Sequence, residues 1–349
     1  MSVFQSEHEA WFNEVQPNGS VKCLACAHGC IFSTTKEGKL GKCGVRGMFG
    51  GKLRSLVYGR PIASNIDPIE KKPLHHFLPG TDIYSIGTYG CNLKCLFCQN
   101  WQISQATDVV QQCVAAHDIE SLGGEVSSET IVNDAIRNRC PSIAFTYTEP
   151  AIAFEFMYDT AKLAKERGLR TVAVTNGYWT VEGVKKMAPV LDAVNIDLKG
   201  SAEFYRTLCG ATLEPVQQTI MEAFNAGIHV EVTNLVIEGH NDSDEQFHNL
   251  CRFVSSVSTD IPLHFSACYP TYKLLDIPRT SVATLTKAEH IAKSFGQKYV
   301  YLGNIGNHEN TTCPNCHQVL VERPSWGESR SHITGSNCEC GCSVYGVWS

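Results

Sequence analysis

Three cysteines, Cys91, Cys95 and Cys98, stand at C-x3-C-x2-C spacing in the stretch TYGCNLKCLFCQNWQIS, residues 88–104. A tight loop there presents three thiolates. A cubane iron-sulfur cluster has four irons, so four cysteines would saturate it, whereas three leave one iron open for another ligand. Zinc is the competing reading. It takes four ligands, ordinarily from C-x2-C knuckles, and would need a fourth from elsewhere in the chain.

Two further groups have ligand spacing. Cys23, Cys26, Cys30 and Cys43 form C-x2-C-x3-C-x12-C among glycines 29, 38, 41 and 44, which supply the tight turns of a metal knuckle. Closed thiolate sets suit zinc and iron-sulfur alike, so spacing leaves both open. His28 reads as a flanking donor. Near the end, Cys313 and Cys316 in CPNC precede Cys338, Cys340 and Cys342 in CECGC, a zinc-ribbon-like pair of knuckles. Cys338 and Cys340 complete the set, with Cys342 as the alternative. Cys113, Cys140, Cys209, Cys251 and Cys268 are scattered among apolar residues and read as small buried hydrophobes.

The elements that must position these groups follow from periodicity. An alternating run, TDIYSIG, leads into the Cys91 loop and reads as a strand ending at Gly87. Further strands are expected at 142–147, 170–176, 192–199, 229–237 and 262–267, separated by amphipathic helices such as AIAFEFMYDTAKLAKERG with its Gly168 stop. Six β/α units imply a parallel sheet, and right-handed crossovers would curl it into a full or partial barrel. In such a barrel the chemistry sits at the C-terminal strand ends. Polar residues occur there throughout: Tyr147, Thr148 and Glu149, then Asn176, then Asp197 and Lys199, then Thr233 and Asn234, then His264. The stretch from Lys52 to Gly80 reads as a loop able to cover a site, with Lys72, His75 and His76 in a solvated hinge. Residues 1–20 read as a loose lead-in.

Bulk properties bound the function. The 349 residues, 43% hydrophobic and 18% charged, suit one large globular domain with small appendages. A net charge of −6 argues against general attraction to nucleic acid or to an anionic membrane. No apolar run is long enough for a membrane span, and the opening MSVFQSEHEAWF lacks the features of a signal peptide, so the expected location is the cytoplasm. Seventeen cysteines in such a chain point to metal and cluster binding rather than disulfides.

Taken together, SIGTYGCNLKCLFCQNWQIS, FTYTEP, TNGY and NIDLKG resemble the radical S-adenosylmethionine (SAM) superfamily, with a barrel of the pyruvate formate-lyase-activating type. The flanking CLACAHGC, GKCGVR, IEKKPLHHFLPG and CPNCHQVLVER resemble the radical SAM enzyme of the AmmeMemoRadiSam system. The resemblance implies an α/β fold: a partial (β/α)6 barrel at 61–305, with a Cys-rich metal-binding segment at 1–60 and a zinc-ribbon-like extension at 306–349. It implies a 4Fe-4S cluster on Cys91, Cys95 and Cys98, whose open iron takes the amino and carboxylate groups of SAM, with an additional zinc or second iron-sulfur cluster in the extensions. Phe97 would pack beside the adenine. Glu149 would meet the SAM ammonium, although Tyr147 and Thr148 replace the usual Gly-Gly, and Asn176 corresponds to an activase Asn, although Val174 replaces the aspartate two residues before it. Asp197, Lys199, Asn234 and His264 would complete the SAM contacts, near its ribose and carboxylate. The implied reaction is reductive cleavage of SAM to a 5'-deoxyadenosyl radical that takes a hydrogen from a substrate, with no catalytic side chain assigned. Implied partners are a flavodoxin- or ferredoxin-like electron donor and a Memo-like or other protein. Two alternatives remain: a glycyl-radical activase, and a non-enzymatic metal or electron-transfer protein.

Overall fold

Seven short runs, largely buried along their length, pair in parallel as strands buried on both faces do. In the computed structural model, which describes residues 8–306, 309–324, 329–333 and 335–349, they follow an antiparallel edge strand, and all eight strands lie in chain order across one open sheet. The edge strand is β1 (Ala63–Pro68). After it come β2 (Asp82–Gly87), β3 (Ser142–Phe145), β4 (Arg170–Thr175), β5 (Ala193–Asp197), β6 (His229–Val236), β7 (Leu263–Ala267) and β8 (Val300–Gly303). Helices cross between the parallel strands, among them Ser128–Arg137, Phe154–Glu166, Glu214–Asn225 and Asp244–Val257. Each has an apolar face against the sheet, and Asp244–Val257 starts in a Ser243/Gln246 capping box.

The expected α/β parallel architecture is therefore present, with two additions. A seventh parallel strand, β8, follows helix Val282–Ser294. This unit is faint in sequence because the strand has four residues and the helix buries only Leu285, Ala288 and Ala292. The antiparallel β1, ASNIDP, buries Asp67 alone and lacks the apolar alternation that marks a strand.

The stretch expected as a solvated hinge is interior instead. Lys72 is 4% and His76 0% exposed. The chain after β1 runs from the sheet edge into the barrel, where Asn195 Nδ2 donates to Pro73 O at 2.6 Å. Glu231, pointing inward from β6, accepts from the backbone N–H groups of His75 and His76 and faces Nε2 of His229 and of His264. A Pro- and His-rich segment reads as surface until such a buried acceptor is known.

The lead-in is ordered from residue 8 onward, whereas residues 1–7 lie outside the described residues. Ala10 is buried, and Asn13–Val15 pairs with Val21–Cys23. Phe12 stacks on Phe154 at 4.2 Å between ring centroids, and Arg46 makes two hydrogen bonds to Glu155, at 2.6 and 2.8 Å, in a buried pair. The amino-terminal hairpins are thereby fastened to the helix after β3. At the other end, Val347 bridges Phe77, and Arg323 Nη2 donates to His75 O at 2.6 Å, tying the tail to the interior segment. Among the described residues, no helix is long and apolar enough to cross a membrane.

Candidate functional site

The strand ends open into a cavity of about 470 Å³, within the usual size of a small-molecule site. Cys91, Cys95 and Cys98 line it together with Phe97, Tyr147, Glu149, Asn176, Asp197 and Lys199. Six of the eight expected SAM contacts thus converge with all three cysteines. The other two do not line it. Asn234 alternates with Thr233 and Leu235, which do, and its amide donates to Leu198 O at 2.7 Å. His264 points inward one layer deeper than Ser266, bonded to Glu231 at 2.6 Å and stacked on Tyr301.

The loop is held from several sides. Gly90 has φ +89°, and a Cβ there would lie 2.8 Å from Cys43 O, so only glycine fits between loop and amino-terminal knuckle. Gly90 N–H donates to Ile103 O, Asn100 to Tyr147 O, and the Leu93 N–H points at Cys91 Sγ at 3.4 Å. Cys98 Sγ lies 3.1 Å from Ser104 Oγ. Asn176 places its amide between Asn92 Oδ1 at 2.8 Å and Cys91 Sγ at 3.7 Å, beside the thiols rather than out over the cavity. Cys209, read as a bland core residue, lies against Cys95, whose thiol it pushes well up, with burial adding to the effect.

Charge in the cavity is arranged by sign. Lys199 Nζ is 2.7 Å from Asp197 Oδ2 and faces the ring of Phe97. Burial opposes its charge, but Asp197 and Cys95 hold the ammonium protonated well above the ordinary lysine value. A buried cation beside three thiols suits an anionic cluster and a carboxylate ligand. Glu149 is 1% exposed, and burial raises its pKa. Its carboxylate accepts from the N–H groups of Ala151 and Asn176, from Thr175 Oγ1 and from Trp179 Nε1, all at 2.8–2.9 Å. It thereby caps the turn after β3 and ties it to the end of β4.

Asp67 bonds three lining residues and has no sequence signal. Asp67 accepts from Lys71, Lys72 and Tyr147 at 2.6–2.7 Å; burial works against its charge, yet these donors hold the carboxyl well below the usual range. Tyr147 has φ +68°, a left-handed conformation suited to the glycine it replaces, and its hydroxyl anchor on Asp67 secures that strained backbone. Lys71, Lys72, Ser266 and Asn304 also line the cavity. Lys71, Lys72 and Asn304 come from the turn after the edge strand and from the end of β8, the parts that periodicity does not expose, whereas Ser266 sits on the expected strand β7.

The two outer cysteine groups differ. In the tail, the sulfurs of Cys313, Cys316, Cys338 and Cys340 all lie within 4.8 Å of one another, with Cys313–Cys340 and Cys316–Cys338 at 3.6 Å. Cys342 is outside this set and points at Ser343 O. A single ion with metal-sulfur bonds of about 2.3 Å would space four tetrahedral sulfurs about 3.8 Å apart. Burial raises the Cys313 pKa, but the N–H groups of Cys316 and Asn315 outweigh it and bring it down to about 6. The amino-terminal four line a separate hollow, where burial pushes Cys26 well up and Cys43 up to about 11. His28 Nε2 is turned away to Asn92 O at 2.8 Å.

Residues 85–254 match the Radical SAM superfamily model. An uncharacterized protein of Methanocaldococcus jannaschii is 45% identical over 319 residues, which is 90% of this chain and 91% of that one. The pyruvate formate-lyase 1-activating enzyme of Escherichia coli K12 is 23% identical over 234 residues, 61% and 89% of the two chains. A solved domain of a pyruvate-formate lyase-activating enzyme from Bacteroides vulgatus superposes with a TM-score of 0.41 at 19% identity, over 46% of this chain and 98% of that one.

Proposed function

Because the chain belongs to the radical SAM superfamily, we propose that Cys91, Cys95 and Cys98 ligate its cluster and that the cavity they line holds SAM. Membership carries the enzyme class and its two cofactors, a 4Fe-4S cluster and S-adenosylmethionine. The observation that carries the site assignment is the convergence of three thiols, Phe97, the buried Lys199 and four further strand-end residues on one cavity of cofactor size. When bound, the cofactors supply one electron from the reduced cluster to the sulfonium, breaking C5'–S to give methionine and a 5'-deoxyadenosyl radical.

This chain's residues bind and orient. Lys199, held charged by Asp197, faces the carboxylate of SAM, and Phe97 lies along the adenine. Glu149 acts chiefly by fixing the ends of β3 and β4, since protein donors already engage both its oxygens. Tyr147 and Lys72, both bonded to Asp67, form the wall through which a substrate reaches the radical. The tail cysteines Cys313, Cys316, Cys338 and Cys340 hold zinc. The enzyme takes electrons from a flavodoxin- or ferredoxin-like donor and acts within an AmmeMemoRadiSam-like system, with a Memo-like protein among its partners. The 23% identity to a pyruvate formate-lyase-activating enzyme supports a second reading, in which the abstracted hydrogen belongs to a glycine of a partner enzyme.

Two measurements test this. Reduced, reconstituted protein is expected to release 5'-deoxyadenosine, and deuterium from the true substrate is expected to pass into it; absence of any product under reducing conditions removes the reading. Lys199→Ala is expected to weaken SAM binding more than tenfold, a loss above about 1.4 kcal/mol. Glu149→Gln is expected to lower both SAM affinity and thermal stability, because a buried N–H or O–H loses its acceptor. Unchanged affinity in Lys199→Ala by anaerobic titration calorimetry would remove the carboxylate assignment.

A further inference from the structure

Cys23, Cys26, Cys30 and Cys43 line a small hollow of about 10 Å³ together with Arg46 and Ile152. Three of the four are buried and Cys30 is half-buried. Arg46, 2% exposed, forms one wall. Its two terminal nitrogens bind Glu155, while its Nε–H is buried with no acceptor. An unpaired buried donor at the edge of a thiol-lined hollow marks a place where an acceptor is missing.

Sulfur spacing separates the two metals that the cysteine pattern leaves open. The tail set closes to within 4.8 Å, as one ion requires. Among the described residues, no three sulfurs of Cys23, Cys26, Cys30 and Cys43 approach that closely, and neither do those of Cys91, Cys95 and Cys98. A cubane seats each thiolate on a different iron, so its ligands stand further apart than those of a single ion. The amino-terminal set, like the cavity loop and unlike the tail, is therefore more widely spaced than a single ion requires. Four thiolates leave no iron open, which rules out SAM binding at this second site.

We propose that Cys23, Cys26, Cys30 and Cys43 bind a second 4Fe-4S cluster, fully ligated by thiolate, with the Arg46 Nε–H donating to one of its sulfurs. The cluster abuts the cavity loop: His28 contacts Asn92, the neighbour of Cys91, and Ala27 N–H donates to Tyr178 O, which also accepts from the Asn92 amide. The inference rests on the preceding reading of Cys91, Cys95 and Cys98 only for the comparison of spacings.

The test is metal analysis with spectroscopy. Wild-type chain and a Cys91→Ala, Cys95→Ala, Cys98→Ala variant are reconstituted anaerobically with ferrous iron and sulfide, and iron, sulfide and zinc are counted per chain. About eight irons are expected in the wild type and about four in the variant, whose reduced electron paramagnetic resonance signal is unchanged by SAM. Adding Cys26→Ser and Cys30→Ser is expected to remove the residual iron and sulfide. A wild type holding about four irons that vanish in the triple variant overturns the second cluster and leaves the cavity cluster standing, whether or not zinc fills the hollow. About four wild-type irons that persist in the triple variant support the second cluster and overturn the cavity reading instead. Should the triple variant fail to fold, Cys26→Ser with Cys30→Ser in the otherwise wild-type chain decides: loss of about four irons per chain supports the second cluster, and an unchanged iron count overturns it.

Discussion

Chains with alanine at Cys91, Cys95 and Cys98 together are expected to form no 5'-deoxyadenosine above background, while the barrel remains folded. The argument is one of ligand number. Three thiolates on one loop hold a cubane by three irons and leave the fourth for SAM, so their removal takes away both the electron's entry point and the anchor of the sulfonium. Alanine substitution removes the loop's contacts to Cys91 and Cys98 sulfur, but Gly90, Asn100 and Gln105 still fasten it by hydrogen bonds that do not involve the thiols. The buried Lys199 would still face the cavity, so a weakened binding of SAM without cleavage is the expected phenotype. Product formation at the native rate in the triple variant would show that the cluster lies elsewhere. Single substitutions are weaker tests, since a neighbouring sulfur such as Cys209, packed on Cys95, could replace a lost ligand.

The parts of this site that are legible in sequence are those tied to a repeating signal. The parallel strands carry apolar runs, and their ends carry the polar residues, so Tyr147, Glu149, Asn176, Asp197 and Lys199 could be placed together without knowing the fold's details. Strand alternation also decides which neighbour faces inward, and here the reading slipped by one residue: Thr233 lines the cavity while Asn234 faces the other way. A one-residue change of register moves a side chain to the opposite face, and periodicity over eight residues of which seven are buried, HVEVTNLV, does not say which face is which.

The rest depended on contacts between distant segments. Asp67 and Lys72 belong to a stretch whose composition suggests an exposed loop, and only the pairing of β1 with β2 carries them to the cavity edge. Tyr147 in a left-handed conformation is likewise readable only once Asp67 is seen to hold its hydroxyl. The Cys340 and Cys342 alternatives differ by two residues in a Gly-containing knuckle. Convergence of sulfurs in space, with Cys340 inside and Cys342 outside, separates them where spacing along the chain does not.

Below the cavity, Glu231→Gln is expected to reduce the unfolding free energy by roughly 3 to 5 kcal/mol. Glu231 is fully buried, and its two oxygens face four groups: the N–H groups of His75 and His76, and Nε2 of His229 and His264. A glutamine amide must turn an N–H2 toward at least one N–H donor, so a carboxylate acceptor is exchanged for a donor in a site that water does not reach. Burial by itself would raise the Glu231 pKa, but the hydrogen bonds from His229 and His264 hold it well below the ordinary value of 4.5. A depressed folded pKa means stability that is fully present above 4.5 and is lost as pH falls from there through the folded value. The gap between wild type and Glu231→Gln is therefore expected to be widest near neutral pH and to narrow in acid. Denaturant titrations of metal-loaded protein at pH 7 and at successively lower pH measure both features. Because His76 also bonds Tyr345 O and Arg323 bonds His75 O, the same substitution is expected to loosen the tail from the barrel floor, seen as faster amide exchange around Val347. A loss below about 1 kcal/mol, or one independent of pH, would show that the histidine segment is held by packing and not by this carboxylate.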